Sequence, residues 1–332
     1  MRKIKFGILS FAHIHAWNYA QVLKKLESAE LVAIFDDDKE RLARASSAYN
    51  VKDTYLNYHD LLKRDDIDAV IVTSENARHK EHVIAAAERN KHVIVEKPIA
   101  TNLRDADEII SAAKKYGIKL QVAFVMRYHD ASLHIKELID KGDLGKILSI
   151  MSTNHGKYPG GWFGDPDLAG GGAIMDHTVH VADLMRWYTG DEVEEVYAVT
   201  GLNIRNYLKV EDVGLISLKF KRGIIGSIDC SWSRPDTWPI WGDVYMAVYG
   251  SEGYAIVDAF ISNVTLVKEG KPLEWRYFGP DADLNMIEDF IKAIKEDREP
   301  RATGYDGRQA LEIALAAYDS IRKGEIVKLP LS

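Results

Sequence analysis

Two short apolar runs, Ala69-Val70-Ile71-Val72-Thr73 and His92-Val93-Ile94-Val95, constrain the fold of this chain more than any other feature. Neither alternates with polar residues, so each has to be covered on both faces, as strands of a parallel sheet are. Parallel neighbours need a crossover. The intervening residues supply one, with Val83, Ile84, Ala87 and Glu88 on a helix that begins near Arg78. The same alternation runs back to a strand at Ile4 to Leu9, a helix marked by Ala16, Tyr19, Ala20 and Leu23, and a strand from Leu31 to Phe35. It runs forward to a last strand from Lys119 to Phe124. Residues 1–123 read as two βαβαβ halves, a Rossmann domain of the α/β class.

Past residue 123 the pattern changes. Segments of period-two alternation follow one another, such as Gly214 to Lys221 and Ile224 to Trp232 around the turn Lys221-Arg222-Gly223. One helix is expected from near Gly172 to Tyr188, stopped by Thr189-Gly190. Two more are expected from Asp283 to Glu296 and from Asp306 to Arg322. Residues 124–332 read as an α+β domain with a large, mostly antiparallel open sheet. The length of 332 residues, beyond what one core usually fills, agrees with two domains.

Charge narrows the partners. The net −7 comes from mixed signs without a basic block, so nucleic acid is not expected. No apolar stretch is long enough to span a bilayer, and Met1 to Phe6 runs into a strand rather than a signal segment, so no membrane partner is expected. The single cysteine, Cys230, cannot pair internally, which fits a cytoplasmic protein.

The carboxyl edge of a parallel sheet is where ligands bind, and Glu96-Lys97-Pro98 puts a carboxylate and a lysine there. A dinucleotide loop after the first strand carries G-x-G-x-x-G, which lets backbone amides approach a pyrophosphate. Here those three positions hold Ser10, Ala12 and His15. Asp36 ends the second strand about twenty residues past the loop, where an acid accepts from the adenine-ribose hydroxyls. Asp36, Asp37 and Asp38 together would repel a 2′-phosphate, so NAD is expected over NADP. The same acids also suit the start of a helix near Lys39. His13 and His15 diverge on a helix and have no acid or cysteine in the same stretch, so no metal is expected.

A second cluster runs from Gly170-Gly171-Gly172 to His180 and places Asp176 four residues before His180, on one helix face. An exposed ion pair has the same spacing. The three glycines in front argue instead for a close approach by backbone or ligand.

These stretches, with Thr73-Ser74-Glu75-Asn76-Ala77-Arg78-His79 and Lys91 to Pro98, resemble the glucose–fructose oxidoreductase, inositol dehydrogenase and MocA family (Gfo/Idh/MocA) along essentially the whole chain. The resemblance implies an NAD-dependent dehydrogenase or reductase for a sugar, polyol or cyclitol. It also implies a second domain that binds substrate and associates into a homodimer or homotetramer. Lys97, Asp176 and His180 match the family's active-site lysine, aspartate and histidine. The expected cofactor set is Ser10, Phe11, Ala12, His13, Ile14, Asp36, Thr73, Asn76, His79, Glu96, Lys97 and Arg127. The expected substrate set is Lys97, Arg127, His155, Trp162, Asp176 and His180. Ser10, Ala12, Met126 and Thr178 depart from the family pattern.

The three matched residues suit hydride chemistry. A histidine titrates near neutrality and can exchange the hydroxyl proton. Lys97 can stabilise negative charge on the same oxygen. Asp176 can bind a hydroxyl or orient the imidazole. Two other readings use the same fold: a non-catalytic nucleotide- or sugar-binding regulator, and an NAD-dependent glycosidase. Trp232, Trp238 and Trp241, with Arg234, read as core or as a sugar-stacking platform.

Overall fold

Six strands, β1 (Ile4–Leu9), β2 (Ala29–Phe35), β3 (Thr54–Tyr55), β4 (Ala69–Val72), β5 (His92–Val95) and β6 (Leu120–Val122), form a parallel sheet in the order β3-β2-β1-β4-β5-β6. The computed structural model describes residues 2–260, 263–267, 274–277, 279 and 281–331. The strand order reverses between β1 and β4, so the loops after those strands meet at the crevice where doubly wound sheets bind ligands. Helices α1 (His15–Lys25), α2 (Lys39–Tyr49), α3 (Tyr58–Leu62), α4 (His79–Glu88) and α5 (Leu103–Tyr116) make the crossovers. The apolar runs β4 and β5 are buried almost throughout, as their lack of alternation requires.

By its internal contacts the chain divides into two compact units, Met1–Tyr128 with Asp281–Arg308, and His129–Pro280 with Gln309–Ser332. The expected boundary at 123/124 leaves out two parts of the first unit. One is the 3-10 turn Val125–Tyr128. The other is the later helix α9 (Ala282–Lys295), whose Met286, Ile287, Phe290 and Ile291 complete the core formed by Phe6, Ile8, Tyr19 and Ile94.

In the second unit, α6 (Asp130–Lys141) leads into β7 (Ile147–Lys157). The short α7 (Pro166–Ala169) then precedes α8 (Ala173–Thr189). Strands β8 (Val193–Val199), β9 (Val213–Phe220), β10 (Ile225–Arg234), β11 (Tyr245–Gly250) and β12 (Tyr254–Asp258) follow. After them come the two-stranded β13 (Asn263–Leu266) and β14 (Glu274–Tyr277), then α9 (Ala282–Lys295), α10 (Gly304–Lys323) and β15 (Val327–Lys328). Seven strands build one sheet in the order β12-β11-β7-β10-β9-β8-β15, antiparallel except where β7 runs parallel to β10. Period-two alternation sorts its faces. Ile150, Ser152 and Asn154 of β7, with Ile228, Cys230 and Trp232 of β10, are buried on the side that packs against α8. Met151, Leu215, Ile225, Tyr254 and Ile256 lie exposed on the other. No helix among the described residues is long and apolar enough to cross a membrane.

Candidate active site

The loop after β1 turns without a glycine. Ser10 itself takes the left-handed backbone conformation, φ 77°, that a glycine would adopt without strain. Its hydroxyl accepts from the Ala12 amide at 3.1 Å, an acceptor glycine could not offer. Thr73, at the end of β4, braces the loop from below: its hydroxyl donates to the Ser10 carbonyl (2.6 Å) and its own carbonyl accepts from the His13 amide (3.0 Å). Ile14 is half exposed at the start of α1, which has no side-chain cap, unlike α2 and α5 with Asp38 and Asn102. The start of α1 lies at the carboxyl edge of β1, the place where doubly wound sheets bind the phosphates of a dinucleotide.

Asp36 departs from its expected role. It is fully buried, and both oxygens are engaged: the Phe11 amide (2.7 Å) and Arg41 Nε (2.7 Å) donate to Oδ2, and the Asp38 amide (2.8 Å) and an Arg41 terminal nitrogen (2.7 Å) donate to Oδ1. The carboxylate ties the loop to α2 rather than facing a ribose. Asp38 caps α2, so the helix-start reading of the acids holds for it. The half-exposed acid at this edge is Asp37, paired with Arg78 at 2.6 Å, which holds its carboxyl below the usual carboxylate range against the opposing effect of burial.

Glu96 gathers the histidines. Tyr19 Oη donates to its Oε1 at 2.5 Å, His15 Nδ1 lies 3.0 Å from the same oxygen, and the Lys97 amide donates to Oε2 at 3.0 Å. His13 Nε2 is 3.9 Å from Oε2. Burial alone would raise the carboxyl's pKa, but the imidazoles and Lys97 hold it well below the ordinary value. His13, His15 and Glu96 thus bring ligand-type atoms within 4.8 Å of one another, a grouping the sequence hides because Glu96 lies 81 residues from His15. The hydrogen bonds argue against a metal there. The His15 amide donates to His13 Nδ1 (3.2 Å), which leaves the neutral ring's proton on Nε2, where a metal needs a lone pair.

Three other expected cofactor residues are buried in the scaffold. His79 is fully buried between the carbonyls of Pro98 (2.9 Å) and Ser74 (3.2 Å), linking the end of β4 to the Glu96-Lys97-Pro98 turn. Asn76 is buried at the start of the turn before α4. Arg127 donates to the Arg301 carbonyl (2.7 Å) and to Asp306 (2.9 Å), joining the chain after β6 to the start of α10. Lys97 lies at the carboxyl end of β5 and is 4% exposed.

In the second unit, fifteen of the seventeen residues of α8 are buried, Asp176 and His180 among them at 7% exposure each. A solvated ion pair is therefore not what their spacing encodes. Trp232 Nε1 donates to Asp176 Oδ2 at 3.0 Å, and His177 Nε2 lies 3.2 Å from the same oxygen. His177 Nδ1 donates to the Asn154 carbonyl at 2.7 Å, and Trp241 packs edge-on to its ring. His177, one position off the helix face that Asp176 and His180 share, is thus a direct neighbour of Asp176. Trp162 stacks on Phe163 beside Ala173 and Trp232, near the start of α8.

The glycines before α8 make room for protein. A Cβ on Gly172 would sit 1.9 Å from the Glu211 carbonyl oxygen, and one on Gly171 would sit 2.1 Å from Tyr318 Oη. Glu211 accepts from the Gly172 and Ile174 amides and from Tyr318 Oη. Burial raises its pKa despite those donors. These two anchors were not legible in the sequence.

His155 does not join Asp176. It lies on the opposite face of the sheet, between Asp243 (3.1 Å) and Asp229 (3.2 Å), so its expected substrate contact is not found there. Arg234 and Trp238 share that face, whereas Trp232 and Trp241 lie with α8. The tryptophans therefore make no single platform. Cys230 is buried under Thr178, which places its thiol in the core, where burial pushes it up to about 12.

The fold is shared with known proteins. Residues 4–124 match the oxidoreductase family with an NAD-binding Rossmann fold, and residues 132–256 match the GFO/IDH/MocA C-terminal domain. A myo-inositol 2-dehydrogenase of Thermotoga maritima is 32% identical over 99% of this chain and 98% of its own length. The crystal structure of a probable dehydrogenase from Thermotoga maritima superposes with a TM-score of 0.85 at 30% identity, covering 98% of this chain and 99% of that one. GenD2 from gentamicin A biosynthesis, solved in complex with NAD, shares the fold with a TM-score of 0.91 at 22% identity, covering all of this chain and 97% of its own. With both family models matched and a relative that similar along its full length, the chain belongs to the GFO/IDH/MocA family of oxidoreductases.

Proposed function

We propose that this chain is an NAD-dependent oxidoreductase that moves a hydride between nicotinamide and a hydroxyl or carbonyl carbon of a sugar, polyol or cyclitol. The observation that carries the reading is the burial of Asp176 and His180 on a helix whose start is pinned by Glu211 and Tyr318. Burying a carboxylate and an imidazole is costly unless each has a task or a partner. The relatives named as inositol dehydrogenases and as a 1,5-anhydro-D-fructose reductase support the substrate class.

Bound at the carboxyl edge of β1, β2 and β4, the nicotinamide cofactor would supply the hydride acceptor or donor. The chain's own residues handle the proton and the charge. His180 removes the hydroxyl proton as the carbinol C–O bond becomes C=O, and returns it in the reverse direction. Lys97 donates to that oxygen and stabilises its negative charge. Asp176, fixed by the Trp232 indole N–H, accepts from a neighbouring substrate hydroxyl or steadies the charged imidazole. NAD is preferred to NADP because Arg41 and Arg78 are already paired with Asp36 and Asp37, so a 2′-phosphate would have to displace an acid. The apolar outer face of the seven-stranded sheet suits association with a second copy, as a homodimer or homotetramer.

Steady-state rates on polyols and cyclitols test the chemistry. Lys97→Met and His180→Ala proteins that still bind NADH should lose roughly 10²- to 10⁴-fold in kcat. Unchanged rates in both would remove these residues from the mechanism.

A further inference from the structure

We propose that the His15 imidazole, held by Glu96, binds the diphosphate of the dinucleotide in place of the amides that a glycine loop would offer; the inference rests on the cofactor reading above. The reason lies in where the loop's amides point. Those of Phe11, Ala12, His13 and His15 donate to Asp36, the Ser10 hydroxyl, the Thr73 carbonyl and His13 Nδ1. Those of Ala16 and Trp17 donate to the carbonyls of His13 and Ile14. From Phe11 to Trp17, only the Ile14 amide has no partner among the described residues. One amide cannot replace the several donors that usually surround a diphosphate.

His15 can. Its Nδ1 faces Glu96 Oε1, and its side chain is 29% exposed, whereas Glu96 and His13 are sealed beneath it. With Nδ1–H donated to Glu96, a neutral ring presents a lone pair at Nε2, which phosphate oxygens repel. Only the imidazolium presents an N–H there. Burial disfavours that cation, but the charge of Glu96 and its hydrogen bond outweigh burial, Asp283 of α9 adds to them and Lys97 opposes them. The net effect raises the ring's pKa above 6.5. Tyr19 and His13 are the other titratable neighbours, both turned toward Glu96.

Binding is then linked to proton uptake. NADH should bind with constant affinity while His15 is charged in the free protein, and progressively more weakly at higher pH, by at most about tenfold per pH unit. Nicotinamide fluorescence titrations with NADH between about pH 6 and pH 9 read this out. Wild type should weaken with rising pH. His15→Gln should bind roughly tenfold or more weakly at the low end and show no slope. Calorimetry of the wild-type protein in two buffers of different ionisation enthalpy provides a second measurement that needs no variant, with proton uptake expected at the upper end of the range. Equal slopes in wild type and His15→Gln, or NADH binding without proton exchange, would overturn the inference alone. Failure of wild type to bind NADH at any pH would overturn the cofactor reading as well.

Discussion

The loop at residues 10–15 and the glycine run at 170–172 are inverted versions of each other. The first lacks glycine where a ligand has to come close, and the second has three glycines, two of which, Gly171 and Gly172, have Tyr318 and Glu211 as their closest neighbours. A glycine reports that something approaches the backbone, and only the fold shows whether that is ligand or protein. Conversely, a loop can lose its glycines when a hydroxyl, a carboxylate and a carbonyl satisfy its amides from within, as Ser10, Asp36 and Thr73 do.

Substitutions at the two sites should therefore act in opposite senses. Gly172→Ala should have the largest effect. Its backbone, φ −103° and ψ −135°, lies outside the regions alanine favours, and a Cβ would overlap the Glu211 backbone, so the loss should reach roughly 3 kcal/mol or more in urea denaturation. Ser10→Gly should stay within about 1 kcal/mol, because relief of the left-handed backbone offsets the lost acceptor for Ala12. A neutral Gly172→Ala would break the comparison. Next in size, Glu211→Ala leaves the Ile174 amide and the Tyr318 hydroxyl without their acceptor, and the Gly172 amide with Tyr318 Oη alone, and should cost about 2–3 kcal/mol. Glu211→Gln keeps an acceptor oxygen and should cost less than half of that; equal losses would mean that charge, not hydrogen bonding, pins α8.

The smallest expected effect is on the outer face of the sheet. The hydrogen bond to Asp243 raises the pKa of His155 above 6.5, against the effect of burial. A raised folded-state pKa gives stability that is complete below 6.5 and is lost as pH rises through the folded value. Thermal unfolding of wild type should show that decline as pH rises above 6.5, and His155→Gln should flatten it. A decline of the same size in the variant would assign it to another group.

The sequence shows most where one physical rule acts alone. Continuous apolar runs placed β4 and β5, and helical spacing placed α8 and put Asp176 and His180 on one buried face. It shows less where partners come from distant segments. Two residues have no period, so β3 is invisible until Thr54 pairs with Ile34. The face on which His155 lies depends on strand register, where a slip of one residue exchanges the two sides. Asp36 stands at a ribose-binding position, yet Arg41, one turn into α2, takes both of its oxygens. Glu96, Trp232 and Glu211 each complete a cluster across tens of residues, and no local pattern shows which partners they take.

The central claim is that a loop built as Ser10-Phe11-Ala12-His13-Ile14-His15 still holds a dinucleotide, and that the dinucleotide is NAD. Paired titrations of the purified protein with NADH and NADPH, followed by nicotinamide fluorescence, test it most directly. The structure predicts saturable binding of NADH with a clear margin over NADPH. Binding of neither would contradict the claim, and would mean that the internally bonded loop has closed the diphosphate site.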